Sequence, residues 1–373
     1  MRLMTVIGTR PEIIRLSRII PKLDAVAEHT LVHTGQNAAD NLSRVFFEQL
    51  GIRRPDLDLG VDTATFGRQL ATLFERFEQL LDQQRPERVL ILGDTNSGLV
   101  AFNCKRRGVL VYHMEAGNRC FDDRVPEEVN RRVIDHCSSV LLPYTERSAA
   151  NLVREGIERH RIFITGNPIF EVLSASAAGI DACDALSGYG VEPHAYLLAT
   201  MHRAENVDSP DILQRLCTAL ARVAELYEMT LLLSVHPRVE TRLPRGTFDG
   251  TRVRPVAALP FFEFVKLEQN AALVLTDSGT VQEECAIFRV PVITLRDTTE
   301  RPETVEAGSN IVASTDPARI LDAARFLRSC GRRGSWSPPS GYLEPNVSDK
   351  LIRILLSNPE WASANLRIAR PSA

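Results

Sequence analysis

The chain has no run of about 18 apolar residues, the length a helix needs to cross a bilayer, so no membrane span is expected. It has no CxxC pair. Its seven cysteines (Cys104, Cys120, Cys137, Cys183, Cys217, Cys285 and Cys330) are an odd, scattered set that argues against a zinc site and fits reduced thiols in a cytoplasm. No GxGxxG follows any strand-like run, so a nicotinamide nucleotide is not implied. There is no large charge imbalance either. A net charge of −3 gives no case for nucleic acid or an anionic membrane surface as the main partner. Short repeats and low-complexity tracts are also missing. The opening Met1–Ile7 meets Gly8-Thr9-Arg10-Pro11 too early for a signal peptide and is expected to be a first strand.

What is present is ordinary for a soluble globular enzyme: 373 residues, 44% hydrophobic and 24% charged, enough for two domains with buried cores. Short apolar or β-branched runs alternate with helical patterns. Strands are expected at Leu3–Ile7, Thr30–Thr34, Arg88–Leu92, Val109–His113, Val140–Pro143 and Ile162–Thr165. Helices are expected at Pro11–Ala25, about Ala39–Leu50 and Phe66–Gln83. After the turn at Gly166-Asn167-Pro168 and an Ala, Gly and Ser-richer stretch the alternation restarts, with strands at Tyr196–Thr200, Thr230–Val235, Ala272–Thr276 and Val290–Leu295. Such alternation means parallel βαβ units. The expected fold is α/β, with two Rossmann-like doubly wound parallel-sheet domains facing a cleft. Their expected extents are 1–168, joined by a helix at about 357–373 crossing back, and 169–356.

Polar clusters sit at strand ends, where open parallel sheets bind ligands. His113–Arg132 sets Glu115, Asp122, Asp123, Glu127 and Glu128 against Arg119, Arg124, Arg131 and Arg132. A solvated charged loop is the plain alternative. Against it, Glu115 comes directly off a buried strand, and Pro126-Glu127-Glu128 suits a helix start. Gly8-Thr9-Arg10-Pro11-Glu12 offers backbone N–H groups and a forked cation, or is a simple βα turn. Asp94, in Gly93-Asp94-Thr95, is a candidate acid or a helix cap. His202, beside Arg203 after a strand, is structural or placed to meet an anionic leaving group. Ser278-Gly279-Thr280 opens a helix and can hold phosphate, Glu284 one turn later can accept two hydrogen bonds from a ribose diol, and Arg301 adds a cation. A capped helix is the alternative here. Together these clusters favour a nucleoside diphosphate.

In order and with similar spacing over nearly the whole chain, GTRPE (8–12), GDT (93–95), HMEAGNR (113–119), PEEVNRR (126–132), HR (202–203), TDSGTVQEE (276–284) and RDTTERPE (296–303) closely resemble the non-hydrolysing UDP-N-acetylglucosamine 2-epimerases. The resemblance implies a two-domain fold of the glycosyltransferase-B type, a homodimer, and chemistry without metal or nicotinamide. It marks Asp94, Glu115, Glu127 and His202 as catalytic. Arg10, Phe264, Ser278, Gly279, Thr280, Glu284 and Arg301 become nucleotide contacts, and Arg15, Arg119, Arg131 and Arg203 further substrate contacts. Arg15 stands where the family usually has Lys, Gly279-Thr280 where it has Gly-Gly, and His202-Arg203-Ala204 where it has His-Arg-Arg. The tail Pro345–Lys350 departs from the usual Gly-Asp-Gly segment, and Gly35-Gln36-Asn37 from the Gln-His run of members with an allosteric site. GNRCFDDRVPEE and PNVSDK look more like the capsule and O-antigen branch.

The implied activity is interconversion of UDP-GlcNAc and UDP-ManNAc. One alternative is C2 epimerisation of a related UDP-2-acetamido sugar, such as the talo precursor of UDP-N-acetyl-L-fucosamine. A UDP-sugar glycosyltransferase, or a silent nucleotide-sugar binding protein, would share the nucleotide site. Neither explains three acids kept with a histidine.

Overall fold

A computed structural model of the chain describes residues 1–36, 40–235, 237–330 and 334–357, with the side chains of 40–44 and 237–238 outside that description. Among the described residues, twelve strands form two wholly parallel sheets of six. The first holds β1 (Arg2–Ile7), β2 (Glu28–His33), β3 (Leu57–Asp58), β4 (Arg88–Leu92), β5 (Leu110–Met114) and β6 (Val140–Leu142). The second holds β7 (Tyr196–Met201), β8 (Thr230–Val235), β9 (Val253–Ala257), β10 (Leu273–Thr276), β11 (Val292–Thr294) and β12 (Asn310–Val312). The orders β3-β2-β1-β4-β5-β6 and β12-β11-β10-β7-β8-β9 are the same doubly wound pattern. Each reverses direction once, between β1 and β4 and between β7 and β10, and the carboxyl side of such a switch point is where these sheets bind ligands.

Strands covered by helices on both faces must be apolar throughout, and the second sheet shows this directly. Leu197, Ala199, Leu231, Leu233 and Leu275 pack on one face with helices Pro210–Tyr227 and Pro317–Cys330. The alternate residues Tyr196, Leu198, Leu232 and Val274 pack on the other with Leu267, Val281 and Cys285. In the first sheet Met4, Val6, Val89, Ile91 and Val111 meet Leu73 and Phe77 of helix Phe66–Gln84.

Several local expectations change. Pro11–Ala25 is two helices, Arg10–Leu16 and Ile20–Val26. Pro21 has no N–H to give Ser17 and its ring crowds that carbonyl, so it opens a new helix instead. Ile162–Thr165 is not a full strand: it runs beside β6 through Phe163 N–H to Leu141 O (2.9 Å) and Thr165 N–H to Pro143 O (3.0 Å), then turns away at Gly166. Edge strands β3, β9 and β12 carry too few apolar residues to announce themselves. β9 even contains Pro255, tolerated because that edge needs no further ladder donor.

The chain divides into two units, Met1–Val172 with the segment from Ser340 onward, and Leu173–Pro339. The return to the first unit thus comes at Ser340, well before the expected 357. Ser348 donates to Glu171 and Lys22 reaches Asp349 (2.5 Å), which ties helix Val347–Leu356 to the first unit. The expected helix at 357–373 lies outside the described residues beyond Ser357, as does Asn37.

Candidate active site

In the first unit the loops after β1, β4 and β5 bring their polar residues together because those strands are neighbours. Glu115 leaves β5 with φ +67°, a left-handed conformation that costs free energy in a non-glycine residue, and its N–H is held by Leu142 O at 3.1 Å. The carboxylate forms a buried ion pair with Arg15 and lies 3.3 Å from both the Tyr144 hydroxyl and the Asn118 side-chain amide. Arg15 stacks over the Tyr144 ring at 5.8 Å. Gly117 completes the turn: its φ is +78°, and a Cβ there would lie 2.2 Å from Ser148 O.

Asp94 follows β4. Arg131 Nε donates to its Oδ2 at 2.8 Å, and Asn130 holds its carbonyl at 3.0 Å. Arg131 also donates to Glu128 at 2.7 Å. Glu128 is wholly buried and accepts the N–H groups of Cys120 and Phe121. Burial opposes its charge, but these amides and Arg131 hold its pKa below the usual carboxylate range. Of the two adjacent acids in helix Pro126–Cys137, Glu128 therefore braces the loop, while Glu127 sits half-buried in the first turn beside Pro126.

Arg119, expected at the substrate, is placed differently. Its side chain is 0% exposed and donates to Asp135 (2.8 Å), Glu155 (2.6 Å) and the Asn118 carbonyl (2.7 Å), so it supports the Glu115 loop from behind. Asp135 also takes His113 Nδ1 at 2.8 Å, and His113 Nε2 donates to Gly93 O at 2.8 Å, joining the β4 and β5 loops. Arg10, at the start of its helix, lies over Phe46 at 5.7 Å. Glu12 has a structural part that its place in the GTRPE segment does not signal. It caps that helix through Gly8 and Thr9, takes the Thr95 hydroxyl at 2.7 Å, and is pushed by burial up to about 7.

In the second unit β7 and β10 are neighbours, with Thr200 opposite Thr276, so His202 and Asp277 meet just past their ends. Asp277 lies 2.9 Å from His202 Nδ1 and accepts the N–H groups of His202 and Arg203 and the Asn206 amide. Burial opposes its charge, yet His202 and these donors hold it well below the usual carboxylate range. Nδ1 being occupied, Nε2 is the nitrogen His202 can offer; its side chain is 39% exposed. Strand order made this pairing, and nothing in the linear sequence signals it.

Ser278 stands at the N-cap position of helix Gly279–Phe288, and a Cβ at Gly279 would lie 2.6 Å from Glu300 Oε1, so any larger residue would have to push that carboxylate aside. Glu300 is held by Arg296 (2.8 Å) and Arg203 (3.4 Å), while Arg301 pairs with Glu283. Arg203, Arg301, Ser278, Gly279 and Thr280 thus come together around one helix N-terminus, which attracts anions. Glu284 is buried farther along the helix, and Phe264 is half-buried against the same core face.

Two doubly wound sheets, one ending in buried acids and the other in an arginine-lined helix start, define a two-domain α/β enzyme of the glycosyltransferase-B type. The model of the UDP-N-acetylglucosamine 2-epimerase family matches residues 22–356. The chain belongs to that family, and is therefore an isomerase. The UDP-N-acetylglucosamine 2-epimerase of Methanocaldococcus jannaschii is 37% identical over 365 residues, 95% of this chain and 99% of its own. The UDP-2,3-diacetamido-2,3-dideoxy-D-glucuronate 2-epimerase of Pseudomonas aeruginosa is 36% identical over 330 residues, 87% of this chain and 92% of its own. The crystal structure of the M. jannaschii UDP-GlcNAc 2-epimerase in complex with UDP-GlcNAc and UDP matches with a TM-score of 0.89 at 36% identity, covering 95% of this chain and 99% of that one.

Proposed function

We propose that the chain interconverts UDP-GlcNAc and UDP-ManNAc by anti-elimination of UDP to a 2-acetamidoglycal and re-addition. The observation that carries this reading is that Asp94, Glu115 and Glu127 all lie in the first unit, in a chain whose relatives over nearly its whole length are 2-epimerases. The C2 hydrogen of an N-acetylhexosamine is not acidic, so simple deprotonation is far too slow. If the C1–O bond breaks as the C2 proton leaves, the electron pair of the C–H bond becomes the C1–C2 double bond and UDP departs with the C1–O pair. Re-addition of the diphosphate oxygen to C1, with proton delivery to the opposite face of C2, gives the epimer.

Arg10, Arg203, Arg301, His202 and the Ser278–Thr280 helix start are assigned to the departing diphosphate, Glu284 to the ribose and Phe264 to the nucleotide without a finer role. Asp94, Glu115 and Glu127 supply acid–base groups for the two faces of C2, with Arg15 and Arg131 setting their charge. A glycosyltransferase would need an acceptor and only one base. A related UDP-2-acetamido sugar is the second reading, supported by the likeness to the P. aeruginosa enzyme. We further assign the protein to the cytoplasm as a homodimer. In the described part the cysteines are free thiols and no helix is long and apolar enough to cross a membrane; light scattering tests the dimer.

Incubation with UDP-GlcNAc in deuterated water should place deuterium at C2 of both epimers. Amides at Asp94, Glu115 or Glu127 should lower turnover by about 10²–10⁴-fold, the usual worth of general acid–base help, while UDP affinity changes little. Absence of deuterium at C2 overturns the reaction. Wild-type turnover in all three amides overturns the assignment of the acids.

A further inference from the structure

Beneath the proposed ribose carboxylate lies a second acid. Glu268, in the last turn of helix Phe261–Asn270, is 0% exposed, and Glu284 of helix Gly279–Phe288 is 3% exposed. Their side chains stand within hydrogen-bonding reach of each other. Both helices cover the same apolar face of the second sheet, among Leu267, Val281 and Leu198. Two ionised carboxylates in contact there would repel with little water to screen them, so one of the two must hold a proton.

The remaining partners decide which. The Cys285 thiol donates to Glu268 Oε1 at 3.3 Å, and among the described residues no proton donor reaches Glu268 Oε2. From the sheet the Tyr196 hydroxyl is spent on the Leu267 carbonyl, and helix Ala185–Gly188 brings no ionisable side chain. Glu268 thus meets no cation, only a thiol and another acid.

We infer that Glu268 is a positioning residue for the nucleotide site: its carboxylic acid donates a hydrogen bond to Glu284 and so aims the Glu284 carboxylate at the ribose hydroxyls. The inference rests on the nucleotide reading of Glu284. Burial first, and the Glu284 charge second, raise the Glu268 pKa well above the usual range, which keeps the donor proton in place at neutral pH. As pH rises through that raised value the proton is lost, the two charges oppose each other, and the grip on the ribose weakens.

The test is UDP affinity by titration calorimetry, from neutral to alkaline pH, for wild type and for E268Q, E268L and E284Q, with thermal melts to establish folding. Wild-type affinity should fall on the alkaline side. E268Q keeps an N–H donor without a titrating proton, so it should bind UDP as wild type does at neutral pH and lose the alkaline fall. E268L should bind about tenfold more weakly throughout, the effect of one lost hydrogen bond to a charged group. An alkaline fall persisting unchanged in E268Q, or wild-type affinity in E268L, overturns the inference. If E284Q binds UDP as tightly as wild type, the nucleotide reading itself fails. If the Glu268 variants do not fold, infrared titration of wild type and E284Q decides. The protonated-carboxyl band should vanish at lower pH in E284Q, and identical titrations overturn the inference.

Discussion

Arg15 and Glu115 lie one hundred residues apart and form an ion pair with side chains only 2% and 6% exposed. Breaking such a pair strands a charge away from water. Glu115→Gln should therefore cost about 3–5 kcal/mol of stability as well as turnover, because Arg15 loses its counter-charge. Arg15→Met with Glu115→Gln should cost less than the sum of the single changes. Urea unfolding of the four proteins checks this; additive losses would show that the pair is not coupled.

Asp277 is expected to act through His202. Asp277→Asn keeps the size of the side chain but removes the charge that fixes the imidazole, so turnover should fall by about 10²-fold or more, with a smaller effect on UDP affinity. Because the folded pKa of Asp277 is depressed, its contribution to stability is present above the unfolded value of about 3.9 and is lost as pH falls below that toward the folded value. Acid unfolding followed by circular dichroism should accordingly be less steep in Asp277→Asn than in wild type.

Glu12 gives the opposite sign. Its folded pKa of about 7 lies above the unfolded value near 4.5, so the folded state binds more protons between those values and stability declines as pH rises through that window. The span corresponds to about 3 kcal/mol at most. Glu12→Gln, which still caps the helix, should remove the slope; denaturant titrations at acid and neutral pH measure it.

Activity should survive EDTA and need no added nicotinamide. Recovery of a chelated, inactive enzyme by one divalent ion would count against elimination driven only by protein side chains.

Local patterns carried the architecture far. The β-branched and apolar runs at Arg88–Leu92 and Thr230–Val235 are strands because helices cover both their faces, and that burial dictates their composition. Pro126 with Glu127 marked a helix start for the local reasons of fixed φ and helix dipole. By itself, then, the sequence determined the alternation of strands and helices and the strand-end loops that hold the polar residues. Which loops become neighbours was left to strand order. His202 meets Asp277 because β7 pairs with β10, and Glu268 meets Glu284 because two helices share one sheet face. The same long-range packing turns Arg119 inward to Asp135 and Glu155, although the family resemblance places it among the substrate contacts. Residue type and spacing are local, whereas the partner that sets a buried side chain's charge and direction is chosen by tertiary contacts between residues far apart in the chain.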